Sequence, residues 1–116
     1  MVLKIFLPEE GREKARAFLY GGEPLGAPDL MQYEFANGMV YYQSLTVDEI
    51  RNHLGQFYQL GVQWFALPYS GLIRTIELAR QFKITAYDAS FVALAESLGA
   101  DFVTADRRLV QKVKTL

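Results

Sequence analysis

Residues 85–109 read TAYDASFVALAESLGADFVTADRRL, and their order decides the fold class. Thr85-Ala-Tyr-Asp88 opens as a turn, and the alanine-rich run over residues 89–98 predicts a helix. Gly99 stops that helix, because glycine reaches the left-handed conformation at little steric cost. A short apolar strand over residues 101–104 comes next, then Ala105-Asp106 and a basic helix over 107–114. Asp88 thereby stands at a helix N-terminus, and Asp106 just past the carboxyl end of a strand. In open α/β sheets, that edge is where ligand sites gather. Two carboxylates at comparable ends of successive elements predict an acidic pocket, and such a pocket suits a divalent metal.

Upstream, the same alternation of short strands and helices recurs. Residues 1–7 carry strand-type residues, yet Leu3, Phe6 and Leu7 would also share one helical face, so periodicity leaves both forms open until Pro8. From Glu9 the pattern is helical, with Ala15, Phe18 and Leu19 on one side, and Gly21-Gly22 closes it. Residues 23–28 form an extended connector or very short strand, since each proline disfavours the helical region for its predecessor. Asp29 is placed to cap a helix reaching about Met39, with Leu30, Tyr33, Ala36 and Val40 as candidate core residues and Gly38 as an interruption or a point of close approach. Thr46-Val-Asp-Glu49 is a capping box before a helix carrying Ile50, Leu54, Phe57 and Leu60. Residues 62–67 predict a strand closed by Pro68, and Ser70 a cap for a helix with Ile73, Ile76, Leu78 and Ala79 inside. The expectation is one α/β domain over residues 1–116, a mostly parallel sheet wrapped by helices.

Composition narrows the chemistry. With 116 residues, 51% of them hydrophobic, the chain can bury one real core. It has no cysteine, which excludes disulfides, thiol catalysis and thiolate metal sites, and fits a reducing, cytoplasmic setting. No apolar run approaches the roughly 20 residues of a membrane span. The formal charge is -1, so a polyanion would be held by local patches or by metal ions rather than by a global field.

Three carboxylates carry the functional reading. Asp88 and Asp106 each begin a helix and could equally be N-caps. Glu34 sits between apolar Tyr33 and Phe35, where an ionised group needs a partner, although an exposed helix glutamate is the ordinary case. Together they say more than singly: gathered carboxylates repel one another, and Mg²⁺ or Mn²⁺ removes that repulsion through oxygen ligands. The reaction class this favours is hydrolysis of a phosphodiester. Arg107 and Arg108, with Lys112 and Lys114, fit phosphate contacts, or equally complement the dipole of the last helix. His53 has no second nitrogen or sulfur ligand near it in sequence and is assigned nothing. The aromatic middle, Tyr41, Tyr42, Phe57, Tyr58, Trp64 and Phe65, suits core packing or a subunit interface more than base stacking.

Taken in order, several segments resemble one family. They are Leu3-Lys4 with Phe6-Leu-Pro-Glu-Glu10, Ala27-Pro-Asp-Leu30, Tyr33-Glu-Phe-Ala-Asn37, Thr85-Ala-Tyr-Asp88, Ala93-Leu-Ala-Glu96 and Thr104-Ala-Asp-Arg-Arg-Leu109. The resemblance is to the PIN-domain family, and within it to the small VapC-like prokaryotic proteins. It implies a metal-dependent ribonuclease acting on RNA, the toxin partnered by an antitoxin protein, usually as a homodimer. It also implies a four-acid site on a parallel sheet in a three-layer-like arrangement. Glu34, Asp88 and Asp106 match three of the acids, Thr104 a hydroxyl beside the metal site, and Asn37 an asparagine supporting the site's helix. Family members open with a strand that ends in an aspartate, and by this alignment that strand and first acid are missing or replaced. Residues 2–7 recruited into the gap, a partner chain, or a segment upstream of Met1 would each fill the strand's place. A PIN-like interaction module without catalysis is the alternative to the nuclease.

Overall fold

The computed structural model describes residues 2–4, 22, 24–41, 44–104 and 107–113. In chain order its strands and helices are β1 (Val2–Lys4), β2 (Gly26–Pro28), α1 (Leu30–Tyr41), α2 (Val47–Gln59), β3 (Gln63–Phe65), α3 (Tyr69–Phe82), α4 (Ala86–Leu98), β4 (Phe102–Thr104) and α5 (Arg107–Val113). The strands form one parallel sheet in the order β3-β2-β1-β4. Ala27 pairs with Trp64, Val2 with both Gly26 and Phe102, and Lys4 with Thr104. A parallel α/β sheet is therefore what the alternating pattern produces. The helix expected from Glu9 onward lies outside the described residues.

The central strand is present. Val2–Lys4 lies between β2 and β4, so recruitment of the N-terminal segment is the arrangement the molecule adopts. Three β-compatible residues between two existing edges satisfy their backbone groups on both sides, which a lone helical turn there would not do.

The core is built around α4. Ala89 through Ala95 are all buried, as expected of a helix that is apolar on every side. It packs on α3, β1, β2 and β4. Phe91, Leu94 and Ala95 join Leu25, Ala27, Met31, Phe57 and Val62 in one cluster, while Ala89, Val92 and Ala93 join Leu78 and Phe82 in another. The alanines let neighbouring elements approach closely, and Phe91, fully buried, fills the larger gap. Gly99 ends the helix at φ 60°, and its N–H donates to the carbonyls of Ala95 and Glu96.

Two helices turn a different face inward from the one their spacing predicts. In α1, Met31 and Met39 are buried, whereas Tyr33 and Val40 are 73% and 71% exposed and Ala36 is exposed too. The helix is apolar nearly all round, so its phase is set by its immediate departure from β2 and not by periodicity. Gly38 neither interrupts it nor admits a neighbour: the helix runs through it to Tyr41, with open space where a Cβ would stand. In α3, Thr75, Leu78 and Phe82 face the core, while Ile73 and Ile76 are 43% and 52% exposed. Thr75 tolerates burial because its hydroxyl donates to the Gly71 carbonyl at 2.7 Å, which the polar character of threonine conceals in the sequence. The cap position is Pro68, without a side-chain hydrogen bond, and Ser70 already lies within the first turn.

The Thr46 box forms as read. Thr46 Oγ1 accepts from Glu49 N at 3.1 Å, and Glu49 Oε1 accepts from Thr46 N at 3.2 Å. Phe57 of that helix stacks on Phe35 and meets Trp64, so the aromatic middle is in part core.

Candidate active site

Connectivity puts the starts of α1 and α4 toward one edge of the sheet. Only Asp29 separates β2 from α1, and its N–H donates to the Phe65 carbonyl at 3.0 Å, so α1 starts where β2 ends. Glu34 lies in the second turn of that helix. Meanwhile α4 descends through Gly99-Ala-Asp101 into the beginning of β4, so its own N-terminus stands near the level of the β4 carboxyl end. Asp88 is in that first turn. Thr104 closes β4, half-buried and opposite Lys4 of β1. The chain reverses its direction of travel across the sheet between β1 and β4, which is the topological position where α/β proteins open a crevice.

A cleft of about 330 Å³ joins the two helices, lined by Leu30, Tyr33, Glu34 and Asn37 of α1 and by Tyr87 of α4. Glu34 Oε1 is buried, and Asp88, next in sequence to Tyr87, is half-buried. Asn37 is exposed on the same lining.

The structure separates Asp88 from the simple capping role. Thr85 is the N-cap of α4, and its Oγ1 accepts from Asp88 N at 3.0 Å. The pattern Thr-x-x-Asp is itself a sequence signature of a helix start, so this assignment was available from the residues alone. The Asp88 carboxylate sits where the helix dipole favours negative charge. Tyr33, which its spacing placed in the core, and Tyr87 both stand exposed on this lining.

Asp106 lies outside the described residues, as do the side chains of Arg107 and Arg108, which open α5. Among the described residues no three or more acidic or histidine side chains gather as a metal site. Lys112 has a structural partner: its Nζ donates to the Lys83 carbonyl at 3.2 Å. On the cleft lining, Glu34 offers carboxylate oxygens and Asn37 an amide oxygen, donors that fit a hard divalent cation and no soft one.

Comparison with known proteins gives the family and the fold. The PIN domain matches residues 1–114. The chain belongs to the PIN-domain family. Ribonuclease VapC3 of Pyrobaculum aerophilum is 30% identical over 99% of this chain and 91% of its own length. Ribonuclease VapC9 of Mycobacterium tuberculosis is 37% identical over 78% of this chain and 72% of its own. The crystal structure of PAE2754 from Pyrobaculum aerophilum superimposes with a TM-score of 0.69, covering 97% of this chain and 86% of that one at 24% identity, which shows a shared fold. Among the described residues no helix of this PIN protein is long and apolar enough to cross a membrane.

Proposed function

We propose that the chain is a metal-dependent endoribonuclease hydrolysing RNA phosphodiester bonds, the toxin of a toxin–antitoxin pair. The observation that carries the reading is the cleft uniting Glu34 with the N-terminal turn of α4 at the carboxyl edge of the sheet. Relatives named as ribonucleases, aligned over nearly the whole chain, support it.

Glu34, Asp88 and Asp106 are the residues assigned to hold Mg²⁺ or Mn²⁺. Such a cation, when bound, offsets charge on a phosphoryl oxygen and makes water a better nucleophile near neutral pH. The chain's own residues do the rest. Glu34 and Asp88 come from two different helices, each packed on β2, so the seating of α1 and α4 on the sheet sets their spacing. Asn37 offers an amide beside Glu34, and Thr104 a hydroxyl at the strand end. Arg107 and Arg108 balance phosphate charge along the bound RNA.

Two protein partners follow. Tyr69, Leu72, Ile73 and Ile76 form an exposed apolar stripe on α3, at spacing that puts them on one face. That stripe supports a homodimer. An antitoxin protein is the second partner, in keeping with the VapC names of the relatives.

Calorimetric titration with Mn²⁺ tests the site. Glu34→Gln and Asp88→Asn each lower affinity at least tenfold and abolish RNA cleavage. Equal affinities for wild type and both variants would remove the proposed centre.

A further inference from the structure

Each carboxylate of the edge follows a tyrosine in sequence: Tyr33 before Glu34, and Tyr87 before Asp88. Both rings line the same cleft although they come from different helices, and they stay 73% and 63% exposed. Neither belongs to a core cluster, since α1 buries Met31 and Met39 and α4 buries residues 89–95. Folding therefore gains little from these two aromatic faces. Two exposed aromatic rings from different helices, lining one cleft together with Leu30 and Glu34, are an arrangement for a flat ligand. The cleft's volume of about 330 Å³ lies at the small end of ligand pockets, roughly 300–1,000 Å³.

No global basic field draws RNA to this protein. The net charge is -1, and the cleft itself contributes a carboxylate. Something other than a basic field must seat the substrate, and base–aromatic stacking does so independently of sequence, because every base has a π-face. In a duplex those faces are already stacked, and in a single strand they are open.

We propose that Tyr33 and Tyr87 clamp an unpaired base of single-stranded RNA between the α1 and α4 lips of the cleft, fixing which phosphate lies over the acids. This rests on the ribonuclease reading and makes the two tyrosines substrate-positioning residues.

The test uses fluorescence anisotropy with a short labelled single-stranded RNA, the same strand with one abasic position placed in turn at each site, and the matching duplex. Ca²⁺ replaces Mg²⁺ in binding, and cleavage is followed separately with Mn²⁺. Tyr33→Ala and Tyr87→Ala each weaken single-strand binding by roughly 5- to 150-fold, the range of base–aromatic stacking. Neither weakens binding further once the clamped base is abasic, and the preference over duplex shrinks. Tyr33→Phe and Tyr87→Phe keep wild-type affinity, because the ring acts and the hydroxyl does not. KM rises in the alanine variants more than kcat falls, with thermal melting unchanged at these exposed positions. Wild-type binding and cleavage with alanine variants that behave identically would overturn the clamp and leave the nuclease standing. Loss in the phenylalanine variants equal to that in alanine would also overturn it. A wild-type chain that neither binds nor cuts RNA would sink both readings.

Discussion

Arg74 of α3 and Glu96 of α4 meet in a two-pronged ion pair, Nε to Oε1 at 2.7 Å and Nη2 to Oε2 at 3.0 Å. The planar guanidinium matches the carboxylate on both oxygens, so the pair fixes orientation as well as proximity. It ties the helix bearing the exposed apolar stripe to the one that carries Asp88. The Arg74 guanidinium hydrogen-bonded to Glu96 holds that carboxyl below its ordinary value.

The sign of its pH dependence follows. A carboxylate whose folded pKa is depressed adds stability above its unfolded pKa and loses it as pH falls through the folded value. Comparison of wild type with Glu96→Gln by thermal melting shows a gap at neutral pH that closes as the pH is taken down below the ordinary glutamate range. Both side chains are more than a third exposed, so the gap is small and narrows in high salt. A gap that persists undiminished at low pH would show that packing, not charge, joins the helices here.

Thr85→Ala removes the oxygen that receives Asp88 N. The expected cost is about 1 kcal/mol, as for other N-caps, measured by urea unfolding. Frayed backbone at the first turn also displaces Asp88, so Mn²⁺ affinity falls in the same variant, while Thr85→Ser retains both properties.

Lys83 ends α3 in the left-handed region, φ 55° and ψ 48°, the one non-glycine residue with positive φ among the described residues. Side chains resist that conformation by roughly 1–2 kcal/mol, and glycine does not. Lys83→Gly keeps the carbonyl that accepts from Lys112, so the relief outweighs the added freedom of the unfolded chain. Stability rises by about 0.5–1 kcal/mol, read from the denaturant midpoint at unchanged slope.

If α3 forms the subunit contact, a charge on its exposed stripe separates the copies. Ile76→Glu, 52% exposed in the single chain, leaves the melting of the monomer's fold intact and shifts sedimentation from dimer to monomer. A dimer that survives this substitution and Leu72→Glu together places the contact elsewhere.

Local punctuation was legible in the residues. The Thr46 box, the Gly99 stop, the strand ending at Thr104 and the short β2 strand at the prolines all stand where steric and capping preferences put them. The start of a helix at Thr85 was legible too, because the Thr-x-x-Asp spacing marks it. These features depend on a few neighbouring residues, and neighbours are what a sequence displays.

What the order of residues determined, then, was the set of elements, their ends and the chemistry carried on them. Tertiary packing decided which side of each helix faces inward: Met31 and Met39 in place of Tyr33 and Val40, and Thr75 in place of Ile73 and Ile76. It also decided that Val2–Lys4 is a strand at the centre of the sheet, a choice three residues could not make without β2 and β4 on either side. The cleft arose likewise, since Tyr33 and Tyr87 line it together only after α1 and α4 are docked on the sheet. The reason is common to all three. A nearly uniform apolar helix, or a strand of three residues, has almost no preference of its own, and the free energy of burial against distant partners supplies it.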